Sequence, residues 1–382
     1  MTKPYCTAPW NGITVREDGS VRTCCNGSVS LGNVNEQPIE QIVNNDIHSS
    51  IKRDLLSNIN HKNCSVCLNQ EKQTGVATLR DHYNSAYPEL TDQLKFLDIR
   101  WNNFCNLSCT YCTPQFSSTW GSRLGSNVKV IKHGYDKELE LWILEKSNQI
   151  KELMLVGGEP LLMKQNYALI NKLSDDVRLS IITNLSYNLD SLPIKEKLFN
   201  RPLDNTIWNI SVENYGEKFE YIRRGADWEL FKNNLKLLVN NNPNNVNILM
   251  VFGIFTALTL LDTVKFYYSL GIKKLQVQML HGNLFMNVFN YPGDIIELVY
   301  NEVVSVIEWQ KETFGIDYEF YKTDSLTAIA ENLRLAISDS NRKIVSQQDF
   351  INGIAEYDRW QKEKFSTLWS QEYKLILNNI ID

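Results

Sequence analysis

Leu94-Lys95-Phe96-Leu97-Asp98-Ile99-Arg100-Trp101 is followed, three residues later, by Cys105-Asn106-Leu107-Ser108-Cys109-Thr110-Tyr111-Cys112. The first run is β-rich. The second carries three cysteines, spaced by three residues and then by two. Soft thiolates in a tight group suit an iron–sulfur cluster or zinc. Three are one short of a closed tetrahedral site. On a 4Fe–4S cluster they would tie three irons to protein and leave the fourth open for a substrate or cofactor. Zinc would need a fourth ligand, and its sites usually show pairs spaced by two.

Further short β-rich runs follow at Leu153–Val156, Leu179–Thr183, Trp208–Val212, Val246–Ile254 and Leu275–Leu280. Amphipathic stretches lie between several of them. Leu260, Leu261, Val264, Tyr267 and Tyr268 follow one helix face, and a second stretch runs from Leu230 and Phe231 to Leu235 and Leu238. Asn240 to Asn245, with Pro243, reads as a solvated turn. Strand–helix alternation calls for parallel strands with crossover helices. Six such units predict an α/β fold, a partial (β/α)6 TIM-like barrel. Chemistry on such barrels gathers on loops at the carboxyl ends of strands, where the cysteine triplet begins. The expected division is a small cysteine-rich module at 1–93, the partial barrel at 94–292 and a mostly helical tail at 293–382.

The bulk numbers fit that division. A chain of 382 residues holds one large core and a smaller module. A net charge of −5 gives no electrostatic reason to expect nucleic acid as a partner. No apolar stretch reads as a membrane span and no amino-terminal signal is evident, so membrane contact is not expected and the chain reads as cytoplasmic. The eight cysteines are 6, 24, 25, 64, 67, 105, 109 and 112, all in the first third of the chain. A secreted disulfide scaffold would be short and would spread its bridges. Crowded pairs and triplets in a long chain point to metal.

Arg100 through Pro114 resembles the first-strand loop of the radical S-adenosylmethionine (radical SAM) superfamily, including the aromatic Tyr111 before the last cysteine. Gly157-Gly158-Glu159-Pro160 directly follows the second β-rich run. Alone it is an ordinary strand-to-helix turn. One strand after a cysteine triplet, it looks like the superfamily's Gly-Gly-Glu-Pro element, whose backbone carbonyls and acid orient the methionine amino group. The resemblance implies further cofactor contacts at Asn184, in Thr183-Asn184, and at Ser211 and Glu213, although Glu213 also fits a solvated loop acid. Arg223 looks like the arginine that binds the cofactor carboxylate, since a guanidinium fork suits a carboxylate. Arg224 is its rival, and a surface basic pair is the plain alternative. Phe252-Gly253-Ile254-Phe255 fits an apolar wall against adenine or an ordinary core. His281 ends the sixth strand and is a candidate proton-transfer group.

Upstream, Cys6, Cys24 and Cys64-Ser65-Val66-Cys67, with Ala8-Pro9-Trp10, Asp18-Gly19 and Gly32-Asn33, resemble the Twitch module, the shortened relative of SPASM. That module holds one auxiliary 4Fe–4S cluster, so the resemblance implies Cys6, Cys24, Cys64 and Cys67 as its ligands. Asp18-Gly19 is a hairpin signal that would put Cys6 and Cys24 on paired strands. Cys25 is surplus: it should face the other side of a regular strand, yet it is also able to replace Cys24. A zinc knuckle on four cysteines is the alternative. The module usually follows the barrel; here it precedes it, as in one subgroup.

The resemblance implies an enzyme with two 4Fe–4S clusters and S-adenosylmethionine. The open-site cluster, reduced by a donor such as flavodoxin or ferredoxin, would cleave the cofactor to a 5′-deoxyadenosyl radical that takes a hydrogen atom from a small-molecule or peptide substrate, a peptide being favoured. The auxiliary cluster would pass or accept an electron. Competing readings are an RNA-modifying member of the superfamily, a non-catalytic iron–sulfur electron carrier and a zinc-stabilised binding module. The tail carries no motif, and its default reading is helical packing.

Overall fold

A computed structural model describes residues 5–74, 78–280, 283–314, 326–339 and 342–380. Nine strands occur among them: β1 (Gly12–Val15), β2 (Ser20–Arg22), β3 (Gly32–Asn33), β4 (Phe96–Ile99), β5 (Glu152–Leu155), β6 (Arg178–Thr183), β7 (Thr206–Ser211), β8 (Val246–Phe252) and β9 (Lys274–Met279). β4 to β9 fall on the six β-rich runs of the sequence, within two residues at each end, and helices separate them. The fold class is the expected α/β. The chain divides into two compact units, Met1–Asn106 with Cys112–Asn209, and Leu107–Tyr111 with Ile210–Asp382. The division falls inside β7, not at either boundary read from the sequence.

In the first unit the strand order is β3-β2-β1-β4-β5-β6. β1, β4, β5 and β6 run parallel, with Gly12 opposite Phe96, Ile99 opposite Leu155 and Leu155 opposite Ile181. Every residue of β1 and β4 is buried, as in a sheet covered on both faces. The one charge in β4, Asp98, is met by the Arg100 guanidinium at 3.2 Å and by the Thr14 hydroxyl at 3.5 Å. The cysteine-rich segment is therefore not a separate body: its first strand extends the ladder beside β4. Gly12 allows this, because a Cβ there would stand 2.5 Å from the Tyr83 hydroxyl. Tyr83 is itself buried edge-on against Phe96, with ring centroids 5.5 Å apart.

The Asp18-Gly19 signal does make a hairpin. β1 and β2 pair antiparallel, Gly19 takes φ +83°, and Asp18 Oδ1 accepts from Ser20 N at 2.9 Å. Cys6 and Cys24 are not on the paired strands, however. Cys24 lies just past β2, and a turn of helix, Ala8–Asn11, separates Cys6 from β1. Pro9 sits in that helix's first turn, where its missing N–H costs nothing.

In the second unit β8 and β9 pair in parallel from Asn247–Lys274 to Phe252–Met279. The helix Trp228–Asn241, capped by Asp227, buries Phe231, Leu235 and Leu238, and Leu260–Ser269 buries Leu260, Val264 and Tyr267. The tail is helical as expected, at Gly293–Phe314, Leu326–Ile337, Gln347–Asp358, Phe365–Leu368 and Ser370–Asn379. It packs through aromatics. Phe365 stacks on Trp369 at 4.8 Å, and both reach Tyr221 and Phe255. The Tyr221 hydroxyl donates to Asp358 at 2.8 Å. Phe255 thus belongs to an ordinary aromatic core. Among the described residues no helix is long and apolar enough to cross a membrane.

Candidate functional site

In the first unit the cysteine loop leaves β4 through Trp101, whose indole N–H donates to Asn166 at 2.8 Å. Local hydrogen bonds fix its course. Phe104 N donates to Asn102 Oδ1 at 2.8 Å, Asn103 Nδ2 to Pro114 O at 2.8 Å, and Cys105 N to Ser118 Oγ at 3.1 Å. Cys105 is buried and its sulfur receives Asn184 Nδ2 at 3.7 Å. Asn184 also donates to Asn106 Oδ1 at 2.9 Å, and its own Oδ1 accepts from Ser186 N.

Gly157 and Gly158 press against this loop rather than lining open space. Gly157 adopts φ +127°, and a Cβ on Gly158 would fall 2.2 Å from Phe104 O. Glu159 N donates to that same oxygen at 2.7 Å. The Glu159 carboxylate is buried and engaged. Oε1 accepts from Leu161 N at 3.1 Å and Thr183 Oγ1 at 2.7 Å, and Oε2 accepts from Asn184 N at 2.8 Å. The acid read as a ligand for the methionine amine therefore binds the end of β6. Pro160 opens a short 3-10 turn, and its carbonyl accepts from Asn166 Nδ2 at 2.9 Å.

In the second unit, Ser108 N donates to Arg224 O at 3.0 Å and Thr110 N to Ile222 O at 2.9 Å. These two bonds set Cys109 opposite Arg223. The Arg223 guanidinium pairs with Glu213, Nη2 donating to Oε1 at 2.7 Å and Nε lying 2.7 Å from Oε2 as an ion pair without hydrogen-bond geometry. The Tyr111 hydroxyl donates to Glu213 Oε1 at 2.7 Å. Arg223 Nη1 stands 4.0 Å from Cys109 Sγ. Burial pulls the arginine toward the neutral form, but Glu213, Tyr111 and Cys109 outweigh it and hold the charge firmly. Arg224 instead lies over the Trp360 ring at 5.9 Å. Ser211 ends β7 half-buried. His281 lies outside the described residues.

The amino-terminal cysteines converge more plainly. Cys6, Cys24, Cys64 and Cys67 line one small cavity, with Tyr5, Arg80 and Tyr83 around it. Asn63 joins the segments. Its side chain donates to Thr23 Oγ1 at 2.9 Å and accepts from Val29 N at 3.1 Å, just before Cys64. Cys67 falls in the first turn of the helix Ser65–Thr74. Cys6 Sγ receives Ala8 N at 3.4 Å and Cys67 Sγ receives Asn26 Nδ2 at 3.8 Å. The adjacent pair separates: Cys24 is buried on the cavity, while Cys25 is exposed and not among its lining residues.

The donor set suits clusters. All eight cysteines are unbridged thiols. Among the described residues no group of three or more His, Cys, Asp or Glu side chains is gathered tightly enough to hold a metal ion. N–H donors aimed at sulfur are what a thiolate-held cluster uses. Burial pushes the Cys6 thiol up to about 12 and the Cys64 thiol up to about 11. Burial also raises the Cys109 thiol to about 11, with Arg223 opposing. Loading such sites must expel protons. Asn26, Asn63 and Arg80 are contributors the sequence did not announce. Tyr111 was visible only as an aromatic at a set position.

Residues 99–267 match the Radical SAM superfamily, and residues 6–69 match an iron–sulfur cluster-binding domain, SPASM. The 7-carboxy-7-deazaguanine synthase of Clostridium acetobutylicum is 27% identical over 175 residues, 42% of this chain and 75% of that one. The GTP 3′,8-cyclase of Peptoclostridium acidaminophilum is 28% identical over 164 residues, so the chain spans only 48% of it. Among solved structures, Streptococcus suis SuiB bound to S-adenosylmethionine aligns over 71% of this chain and 60% of its own, with 16% identity and a TM-score of 0.42. Native anSMEcpe with bound AdoMet aligns over 58% and 61%, with 18% identity and a TM-score of 0.40. A radical SAM domain works with a 4Fe–4S cluster and S-adenosylmethionine, and SPASM adds an auxiliary iron–sulfur cluster. With both domains on one sequence, the iron–sulfur module first, the chain is an enzyme of the radical SAM superfamily.

Proposed function

We propose that Cys105, Cys109 and Cys112 hold the open-site cluster and that Cys6, Cys24, Cys64 and Cys67 hold the auxiliary one. When reduced, the first would pass an electron to the sulfonium of S-adenosylmethionine, and the 5′-deoxyadenosyl radical so released would take a hydrogen atom from a substrate carbon. The observation that carries this reading is the bracing of the cysteine loop: Gly158 against Phe104 O, Glu159 on Asn184, and Asn184 on the Cys105 sulfur. An electron carrier has no need of a Gly-Gly-Glu-Pro turn there. The main-chain carbonyls of Gly157 and Gly158, rather than the engaged Glu159 carboxylate, would receive the methionine amine, and Ser211 would face the cofactor. His281 keeps its role as a candidate proton-transfer group.

The substrate class we favour is a peptide, on the auxiliary module. A purine-derived small molecule is the second reading, favoured by the relatives named as a deazaguanine synthase and a GTP cyclase. A flavodoxin or ferredoxin would supply the electron. Eight unbridged cysteines fit a reducing, cytoplasmic setting. Protein reconstituted without oxygen should be brown, carry about eight irons and release 5′-deoxyadenosine on reduction. Cys109→Ala should abolish that release and keep about four irons. Wild-type release by this variant would refute the assignment.

A further inference from the structure

Arg223 was the residue expected to bind the cofactor carboxylate, and the geometry gives its guanidinium other work. Nη2 donates to Glu213 Oε1 at 2.7 Å, Nε is ion-paired with Oε2 at the same distance, and Nη1 stands 4.0 Å from the Cys109 sulfur. The residue is 3% exposed. Its backbone is pinned beside Cys109 by the Ser108 N–Arg224 O and Thr110 N–Ile222 O bonds. The acid is fixed in turn by the Tyr111 hydroxyl, and the guanidinium carbon lies 5.9 Å from the Tyr111 ring centroid. A buried arginine–carboxylate pair is costly to desolvate and is weak evidence of a stabilising role. Here it does one identifiable thing: it presents a fixed positive charge to a cysteine of the loop.

We propose that Arg223, clamped by Glu213 and Tyr111, is a positioning residue that raises the reduction potential of the cluster held by Cys109. The inference rests on the cluster assignment above. A cluster gains one negative charge on reduction. A cation held near one of its sulfurs favours the reduced form, and hydrogen bonding at sulfur acts in the same direction. Glu213 has a double effect. It orients the guanidinium, and its own charge offsets part of the guanidinium's field.

The test is an electron-paramagnetic-resonance redox titration of the holoenzyme without S-adenosylmethionine. The signal to follow is the one missing from the Cys109→Ala variant. Glu213→Gln keeps the cation and removes the opposing charge, so its cluster should reduce at a higher potential than wild type. Arg223→Met/Glu213→Gln removes the pair without stranding a buried charge. It should reduce at a lower potential, with the reduced-to-oxidised ratio at fixed potential falling about tenfold, or about 59 mV for one electron. Shifts of opposite sign are not what mere loosening of the fold produces. An unmoved midpoint in Glu213→Gln with full iron content overturns the proposal, and this variant decides the matter if the double variant does not load. So does weakened S-adenosylmethionine binding with unchanged midpoints, which would return Arg223 to the cofactor carboxylate. A wild-type protein with only four irons, or none, would sink the cluster assignment instead.

Discussion

The cysteine cavity of the amino-terminal module and the cysteine loop after β4 treat their sulfurs differently. In the module the donors are neutral: Ala8 N to Cys6 and Asn26 Nδ2 to Cys67. Its nearby cation, Arg80, pairs with Glu71 at 2.7 Å and with Asp81 at 3.0 Å. In the loop, Cys105 has a neutral donor from Asn184, but Cys109 faces the buried charge of Arg223. Four thiolates can close a cluster's coordination by themselves. Three leave a position for another ligand, and that is where the chain adds a fixed charge. The module also assembles around a cavity, whereas the loop is held in place by backbone contact with Gly157 and Gly158.

The sharpest way to break this contrast is Gly158→Ala. Its Cβ would meet Phe104 O at 2.2 Å and Phe104 C at 2.5 Å, both main-chain atoms that cannot rotate aside. Overpacking of this kind costs about 1–3 kcal/mol, and the cysteine loop is what must move. Thermal unfolding should shift down, and reconstituted iron should fall to about the four of the module's cluster. Wild-type melting with all the iron retained would mean the loop does not depend on this contact.

Glu159→Gln should follow with a smaller effect. The carboxylate accepts from three donors, and an amide has only one oxygen to offer them. Leaving a buried donor unmet costs about 1–3 kcal/mol, readable in urea unfolding. Asn184 would lose its backbone anchor, so the Cys105 sulfur would lose a well-placed donor while Cys6 and Cys67 keep theirs. If Glu159 instead served only a ligand amine, stability without S-adenosylmethionine would not change.

These two residues also mark what the sequence could and could not disclose. The spacing of Cys105, Cys109 and Cys112 and the turn at 157–160 were legible, because spacing and glycine placement are one-dimensional signals. The target of each side chain was not. Glu159 and Arg223 are drawn to Thr183, Asn184, Glu213 and Cys109 by contacts that only folding creates. The strands showed the same limit. The β-rich runs located β4 to β9, but nothing in Gly12-Ile13-Thr14-Val15 says that it pairs in parallel with residues some 84 positions later. Parallel partners are distant in sequence and leave no local turn signal, so the module looked separate when it shares a sheet. In the tail, a mostly helical character was readable, but the meeting of Phe365 and Trp369 with Tyr221 was not.

The smallest effect is expected at Cys25, and it sharpens the contrast best. Cys24 and Cys25 are the same residue type at adjacent positions, so sequence gave no reason to choose between them. Cys24 is 9% exposed and lines the cavity with Cys6, Cys64 and Cys67, whereas Cys25 is exposed, outside that lining, with its thiol 3.9 Å from Asn26 Oδ1. Cys24→Ser should therefore strip the module's cluster, because a hydroxyl is a poor stand-in for a soft thiolate. Cys25→Ser should leave iron content intact and stability within about 0.5 kcal/mol of wild type. The informative comparison is between the two serine variants under identical reconstitution. Equal iron loss in both would show that the cavity rearranges to recruit Cys25. The module would then be as adaptable as the braced cysteine loop is fixed, and the contrast between the two sites would have to be redrawn.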